Sequence, residues 1–179
     1  MKVDAPLRRL ALAVAGVIIA AWMLRPQLAQ ALVVRGDEQL YRGRASDALR
    51  YYDRAVRLNP CDGVAVDRYA FVALTLRKRQ SVDAAIALAS AYLLLADDDA
   101  VRFDRAMAYR ERGRLKDALA DFTRVGLHAH DATALTFAGL AAMRLGRRPN
   151  AIELFRRAVA FAPKWLPARR ALRRLGAAE

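Results

Sequence analysis

The fold of much of the chain is indicated by one stretch, GLAAMRLGRRPNAIELFRRAVAFAP, residues 139–163. Its apolar residues recur at the spacing of two short amphipathic helices, and Gly146 stands between them where a tight turn is needed. Antiparallel helices approach closely only where side chains are small. The small residues at the expected contact positions are Gly139, Ala151 and Ala158. The stretch predicts a helical hairpin in which Phe155 fills the remaining space and Pro163 ends the second helix.

The pattern of this hairpin recurs along the chain. Its signature is an alanine, an aromatic residue four positions later, and a small or apolar residue three positions after that. The copies are Ala48, Tyr52, Ala55; Ala118, Phe122, Val125; and Ala151, Phe155, Ala158. Glycine precedes the first alanine of each copy by five residues, at positions 43, 113 and 146. Such self-similarity, with a period near 34 residues, is typical of a repeat protein.

This pattern resembles the tetratricopeptide repeat over about residues 29–165. In the clearest copy, Leu135-x2-Ala138-Gly139-x2-Ala142 is similar to the family's W-x2-L-G-x2-Y. The resemblance implies an all-α fold, a right-handed α-solenoid of about four helix hairpins. The expected units are 29–62, 63–98, 99–131 and 132–165. Residues 166–179 are expected to form a capping helix, with Leu172 and Leu175 covering the exposed face of the fourth unit.

The second unit is the least regular. The residues expected to pack in its first helix are Tyr69, Val72, Ala73 and Leu76. Those expected in its second helix are Ala84, Leu88 and Ala91, in a register shifted by one. A one-residue deletion in the turn 79–81 would explain the shift. The run 97–99 of three aspartates replaces the terminal proline and is expected to cap the next helix.

The N-terminal segment is apolar on all sides. A basic head, residues 1–9, precedes the uninterrupted apolar run 10–24, which Arg25-Pro26 closes. As a helix the run rises roughly 22 Å, which is short of a hydrocarbon core of about 30 Å. Residues 10–26 are interpreted as a transmembrane signal anchor, with the C-terminal domain outside the cytoplasm because a short basic head usually stays inside.

A cleaved signal peptide is the alternative interpretation of this segment. Ala29-Gln30-Ala31 has the small-x-small pattern of a cleavage site. Cleavage after Ala31 would remove the start of the first repeat, which begins near Ala29, so the repeat register favours the anchor. The mature N-terminus distinguishes a membrane-tethered protein from a soluble periplasmic one.

The formal net charge of +13 comes almost entirely from arginine. Such a surface attracts nucleic acid, anionic lipid or acidic proteins. Arginine is also a good helix former with a long apolar stem, and here the arginines are spread around the helices rather than clustered with aromatic residues. Nucleic acid is therefore not the favoured partner. The composition resembles that of a bacterial protein from a GC-rich genome.

The residues that often carry chemistry do not form a recognisable site. His128 and His130 form an H-x-H pair without an evident third metal ligand, and they are expected in a loop between units. The run 97–99 lacks the spacing and glycine of a calcium loop. The single cysteine, Cys61, excludes an internal disulfide. The sequence predicts a protein that is not an enzyme and has no metal or cofactor.

The resemblance to tetratricopeptide repeats implies a concave groove, lined by the first helix of each hairpin, that binds a peptide or helix of a partner. The expected lining is Tyr41; Leu74, Arg77, Lys78; Phe103, Met107, Arg110; and Leu140, Met143, Arg144. Counting from the start of each unit also places Asp37, Leu40, Glu111 and Thr136 in this lining. The basic members suit an acidic segment or one that bears a C-terminal carboxylate, although the asparagines with which some family members hold a terminal carboxylate are absent. The predicted function is a membrane-tethered adaptor or scaffold; the alternatives are a soluble periplasmic repeat protein and an arginine-rich binder of nucleic acid or anionic lipid.

Overall fold

The computed structural model describes the backbone of residues 5–177 and the side chains of residues 12–177. Every regular element in that range is an α-helix, which confirms the all-α prediction. The helices are α1 (Ala5–Tyr41), α2 (Ala45–Leu58), α3 (Gly63–Leu76), α4 (Arg79–Tyr92), α5 (Asp99–Glu111), α6 (Leu115–His128), α7 (Ala132–Arg144), α8 (Arg148–Phe161) and α9 (Leu166–Arg174). The side chains of the basic head, residues 1–9, and residues 178–179 of the expected capping segment lie outside the described part.

The chain divides into two compact units, Met1–Ala65 and Val66–Glu179. From here on, "unit" means one of these two and not one of the four predicted repeats. The first unit holds α1, α2 and the start of α3. The second holds the rest of α3 and the helices α4 to α9. We describe each unit by itself.

In the first unit, the C-terminal part of α1 packs closely on α2. A Cβ atom at Gly36 would lie 2.4 Å from the Tyr52 ring, so only glycine permits the approach. The Tyr52 hydroxyl donates to Asp37 at 2.7 Å. Ala29 and Val33 are buried, whereas the side chains from residue 12 to residue 28 are exposed. Gly36 is thus a contact position between α1 and α2.

Helix α1 does not end at Arg25-Pro26 but continues through Pro26 to Tyr41. Its full length is 37 residues. Proline removes one backbone donor from the helix interior. At about 1.5 Å per residue the helix is roughly 55 Å long. Among the described residues, one segment, Leu12–Tyr41, is long and apolar enough to cross a membrane, by length and composition only. A signal sequence would meet the same criterion.

In the second unit, α5 pairs with α6 and α7 pairs with α8. A Cβ atom at Gly139 would lie 2.5 Å from the Phe155 ring, which confirms the predicted contact. Gly113 and Gly146 adopt φ values of 73° and 74° in the hairpin turns, and Gly43 adopts 75° in the first unit. This left-handed conformation disfavours residues with a Cβ atom, which explains the glycine that recurs before α2, α6 and α8.

The predicted register of α4 is wrong. Its buried residues are Val82, Ala85, Ile86, Ala89 and Tyr92, whereas Ala84 and Leu88 are half-buried and Ala91 is exposed. Because α2, α6 and α8 also have 14 residues, their packing positions align with Val82, Ile86 and Ala89. Valine and isoleucine thus replace the usual alanine and aromatic residue, and this replacement hid the register.

The turn before α4 is nevertheless one residue shorter than its counterparts. Only Arg77 and Lys78 separate α3 from α4, whereas three residues separate α5 from α6 and α7 from α8. The shortening lies at Arg77-Lys78, not in the predicted turn 79–81, because those three residues belong to α4. Arg77 adopts the left-handed φ of 52° that glycine supplies elsewhere.

The core of the second unit extends from α4 to α9. Phe122, Phe155, Leu135 and Leu172 are its largest fully buried side chains. Leu172 is buried and Leu175 packs beside this core, as predicted for a capping helix. The contact between α6 and α7 needs an unpredicted glycine, Gly126, where a Cβ atom would lie 2.5 Å from Leu135.

The aspartates at 97–99 act mainly on α5. The Asp98 carboxylate accepts from the backbone N–H groups of Ala100 and Val101, at 2.9 and 3.2 Å, as the predicted cap. Asp97 pairs with Arg102 and Arg124 at 2.6 and 2.9 Å. These contacts account for the acidic run without a bound cation.

The two histidines differ in placement. His128 ends α6 instead of lying in a loop, and its Nδ1 is 2.5 Å from Asp99 Oδ2. His130 lies in the connection to α7, where its ring contacts Phe161 with centroids 4.6 Å apart. Within the described residues no group of three or more His, Cys, Asp or Glu residues is arranged to hold a metal ion.

Candidate functional site

Three phenylalanine rings join the two hairpins of the second unit. Phe122 of α6 is fully buried, and its ring centroid lies 5.4 Å from both Phe103 and Phe137. Phe103 of α5 and Phe137 of α7 are half-buried and lie 6.0 Å apart. Aromatic rings at these distances attract one another beyond the effect of burial alone. The pair formed by Phe103 and Phe137 is therefore a fixed, partly exposed apolar floor between the first helices of the two hairpins.

Arginine side chains lie beside this floor. The Arg110 guanidinium carbon is 4.7 Å from the centre of the Phe137 ring, a cation–π contact. A small cleft of about 80 Å³ opens there. Its lining is Arg110, Leu115, Phe137, Leu140, Ala141 and Arg144. Leu140 is 46% exposed and so presents apolar surface to solvent beside two cations.

The charge at this basic end is only partly compensated. Burial lowers the pKa of the Arg110 guanidinium; Glu111 raises it, and the nearby cations Arg144 and Arg77 lower it again. Glu111 also lies 3.8 Å from Arg77, a long ion pair. Two of the other basic residues predicted for the groove, Arg77 and Arg144, thus repel the charge of Arg110. A carboxylate placed between them would relieve that repulsion.

The other predicted lining residues are not among those that line this small cleft. Leu74, Met107 and Met143 are half-buried and pack against the core of the second unit. Lys78 is exposed in the turn beside Arg77, so neither residue lies on the face of α3. Tyr41 is the last residue of α1 in the first unit and is 94% exposed.

Two neighbours expected at the lining are packed instead. The Thr136 hydroxyl donates to the Ala132 carbonyl at 2.7 Å and accepts from the Trp165 indole at 2.9 Å. Thr136 is buried, so this threonine is not available to a partner. Asp37 is engaged by Tyr52, as described above.

Sequence reasoning missed Phe137, which holds Arg110 in place. Counting from the start of the predicted repeat selected its neighbour Thr136. A helical-face argument finds it, because Phe137 precedes Leu140, Ala141 and Arg144 by three, four and seven residues, the spacing of one helix face.

Phe103 also lines a second cleft, of about 280 Å³. Its wall combines carboxylates with apolar side chains. The carboxylates belong to Asp67, Asp99, Asp104 and Asp131, and the apolar side chains include Phe103 and Val125. Asp131 caps α7 through the Thr133 and Ala134 N–H groups, at 2.6 and 3.2 Å. Asp99 is contacted by His128 and, at 3.6 Å, by Arg102.

Asp104 is protonated near neutral pH. Burial raises the pKa of its carboxyl to about 8, and the hydrogen bond and negative charge of Asp67, with the charge of Asp98, act in the same direction. The folded protein therefore binds more protons than the unfolded chain between the unfolded pKa of about 3.9 and the folded value. This group stabilises the fold fully below that window, and the contribution is lost as the pH rises through it.

We expect Asp104→Asn to stabilise the protein at pH 8, by about 1–2 kcal/mol, because the amide stays neutral at every pH. Urea unfolding at pH 5 and pH 8 measures the effect, which should shrink at pH 5. Asp117→Asn, at an exposed ion pair with Arg114, is the matched control and should lack this gain. A gain for Asp104→Asn that is equal at both pH values would contradict the raised pKa.

Comparisons with known proteins show which family of repeats the chain contains. The family model described as tetratricopeptide repeat matches residues 33–101 and 103–164. A comparison with curated proteins found no match. Three solved structures illustrate the similarity. MamA from Desulfovibrio magneticus RS-1 is 21% identical, with a TM-score of 0.67 over 78% of each chain. PilF from Pseudomonas aeruginosa is 18% identical, with a TM-score of 0.63 over 87% of this chain and 79% of that one.

The third is YrrB, described as a tetratricopeptide repeat protein with an unusual peptide-binding site. It is 19% identical, with a TM-score of 0.51, and the match covers 79% of this chain and 90% of that one. Identities this low show the helical-repeat fold alone. The family model, in contrast, spans well over half of the sequence. The chain belongs to the tetratricopeptide repeat family.

Proposed function

We propose that this protein is a membrane-tethered scaffold that binds an acidic, partly apolar segment of another protein on the surface of α5 and α7. We call this surface the α5–α7 groove and define it by Phe103, Arg110, Phe137, Leu140 and Arg144. Tetratricopeptide repeat proteins are generally non-catalytic adaptors, so binding is the activity to test. The observation that carries the proposal is the Arg110 guanidinium stacked on Phe137 beside Arg144.

The groove combines two features of peptide-binding surfaces. Phe137 and Leu140 offer apolar area, which supplies affinity when it is covered. Arg110 and Arg144 offer donors in fork geometry that match a carboxylate. Because Arg110 is partly desolvated, an ion pair formed there is screened less than one on the open surface. An acidic segment with apolar neighbours satisfies both features.

The rest of the basic surface supports this choice over nucleic acid. Many arginines are already paired with carboxylates, among them Arg42, Arg57, Arg112 and Arg157. Contacts to a phosphate backbone need arginines whose charge is available along a continuous path. The groove, by contrast, joins its cations to exposed apolar side chains.

We expect Arg144→Glu combined with Arg110→Met to weaken binding of acidic–apolar peptides at least about tenfold, since one charge is reversed and one removed. Methionine keeps an apolar side chain on Phe137. Fluorescence anisotropy with a labelled peptide that contains glutamate, leucine and phenylalanine measures the affinity. Arg170→Glu, at an exposed position on α9, is the matched control. Equal affinity of all three proteins would refute the groove.

The proposed tether is the N-terminal part of α1. The exposed apolar residues there include Leu12, Val17, Ile18, Ile19 and Trp22. Burial of Ala29 and Val33 against the first unit supports retention of the helix, since cleavage after Ala31 would remove a core residue. We further propose that the repeats lie outside the cytoplasm, as the short basic head favours.

Ile18→Lys combined with Ile19→Lys should move the protein from the membrane to the soluble fraction, because each charge at a helix centre costs roughly 3 kcal/mol on insertion scales. Carbonate-washed membranes analysed by immunoblotting measure the distribution. Leu166→Lys, exposed on α9, is the control and should leave it unchanged. Mass spectrometry of the wild-type N-terminus tests the alternative: a chain that begins at Leu32 is a cleaved, soluble protein.

A further inference from the structure

We propose that the α5–α7 groove selects a segment with opposite charges at its two ends, a cationic residue in the cleft beside Asp67 and an acidic residue beside Arg144. This inference rests on the proposed function and specifies the chemistry of its ligand. The two clefts described above flank one aromatic floor, and they carry opposite charge. A single bound segment that crosses the floor reaches both.

The continuity of the surface comes from Phe103 and Phe137. Phe103 lines the acidic cleft, and Phe137 lines the basic cleft. The two rings contact each other at 6.0 Å, so the aromatic wall of one cleft touches that of the other. Apolar side chains in the middle of a bound segment would lie over these rings and over Leu140, which is already exposed.

The acidic cleft offers carboxylates for which the described residues supply no cationic partner. The ion pairs described for residues 12–177 include none to Asp67 or Asp104, whereas Asp99 already has His128 and Arg102. Asp104 Oδ2 is inaccessible to solvent, and Asp104 has the hydrogen bond with Asp67 described above. The negative charge that Asp67 and Asp104 share is therefore the charge available to a ligand.

The shape of this cleft suits a lysine or arginine side chain. Its volume of about 280 Å³ accommodates a long side chain, and Phe103, Val125 and Ala129 provide apolar wall beside the carboxylates. Lysine and arginine carry an apolar stem that packs on such a wall while the charged end reaches an acid. A metal ion needs at least three convergent ligands, and the described residues offer no such group.

The spacing along α5 sets the length of the segment. The carboxylates lie between the first turn of α5, at Asp99, and Asp104, whereas Arg110 lies near its C-terminus. At about 1.5 Å per residue, Arg110 is roughly 9 Å from Asp104 and roughly 16 Å from Asp99 along the helix axis. An extended chain rises about 3.3 Å per residue, so the cationic and acidic residues of the ligand should be about three to five positions apart.

The test uses capped, fluorescein-labelled peptides and the full-length protein in detergent. The first pair of peptides is Lys-Leu-Ala-Phe-Glu and its reverse, since the chain direction of the ligand is free. The second pair replaces lysine with glutamine. Binding is measured by anisotropy at low salt and at about 0.5 M salt. At the higher concentration the Debye length is only a few Å, so interactions between exposed charges are screened. The protein variants are Asp67→Asn, Arg144→Gln and the control Asp117→Asn.

We expect the lysine peptide of the preferred direction to bind up to about fivefold more tightly than its glutamine counterpart, as for a partly exposed ion pair. That preference should disappear in Asp67→Asn and persist in Asp117→Asn. High salt should reduce it. Arg144→Gln should weaken both peptides alike.

Three results would overturn the inference in distinguishable ways. If the glutamine peptide binds the wild-type protein as tightly as the lysine peptide, and Arg144→Gln weakens it, the acidic cleft is not used and the proposed function stands. A lysine preference that survives Asp67→Asn also means that the ligand does not use the acidic cleft. If no peptide binds at millimolar concentration, both the inference and the proposed groove are wrong.

Discussion

Asp121→Ala is expected to destabilise the protein by about 3 kcal/mol, because it leaves a largely buried guanidinium without its carboxylate. Asp121 Oδ2 and Oδ1 accept from Arg105 Nε and Nη2 at 2.7 and 2.8 Å, a bidentate pair between α5 and α6. The two side chains are 11% and 18% exposed, so water replaces the lost contact poorly. The pair also raises the pKa of the Arg105 guanidinium, which keeps that side chain charged.

Urea unfolding at neutral pH measures this effect, and a double variant separates its causes. Arg105→Met combined with Asp121→Leu removes both charges and fills similar volume, so we expect it to recover most of the lost stability. Asp53→Asn, at an exposed pair with Arg57, should change stability by less than about 1 kcal/mol. An Asp121→Ala variant as stable as the wild type would mean that the pair is solvated in solution.

Gly139→Leu should cost about 3 kcal/mol by forcing α7 away from α8. Even the first added atom would lie 2.5 Å from the Phe155 ring, which is fully buried and has no room to move. Helix propensity alone would favour leucine over glycine by roughly 0.8 kcal/mol, so a net loss identifies the clash. Thermal unfolding followed by circular dichroism measures the change.

A matched control and a rescue make the Gly139 result specific. Ala160→Leu adds a similar volume at an exposed position of α8 and should leave stability nearly unchanged. Adding Phe155→Ala to Gly139→Leu should make the two substitutions less costly together than the sum of the single losses, since each relieves the other. Strict additivity would place Gly139 and Phe155 in separate environments and would refute the register of the fourth hairpin.

The sequence was sufficient for the parts of the fold in which one residue type meets a strict steric requirement. Glycine at positions 43, 113 and 146 identified hairpin turns, because a left-handed φ disfavours other residues. Gly139 identified a helix contact for a similar reason. These requirements are local, so they can be recognised without knowledge of the remaining structure.

The register of α4 was predicted wrongly because several residue types satisfy the same packing requirement there. Val82 and Ile86 fill the space that alanine and an aromatic residue fill elsewhere, and Arg77 occupies a left-handed position without glycine. Alanines at positions 84, 85, 87, 89 and 91 gave several equivalent alignments. Burial, which depends on neighbouring helices, distinguishes them where composition does not.

The candidate site was predictable in its charge but not in its aromatic support. The basic residues Arg77, Arg110 and Arg144 were expected from the repeat register, and the charges of Arg77 and Arg144 both lower the pKa of Arg110. Phe137 and the acidic cleft around Asp67 depend on side chains from different helices that meet only after packing. The spacing of residues along the sequence does not show which side chains of α3, α5 and α7 meet.

The most direct measurement of the proposed groove is photo-crosslinking with benzoylphenylalanine placed in the protein one position at a time. Leu140 is exposed within the α5–α7 groove, and Ala160 is exposed on α8, outside it. We predict that the probe at position 140 crosslinks to the labelled acidic–apolar peptide and that excess unlabelled peptide suppresses the product. The probe at position 160 should give no product above background. Equal crosslinking at both positions, or crosslinking at position 160 alone, would contradict binding in the groove.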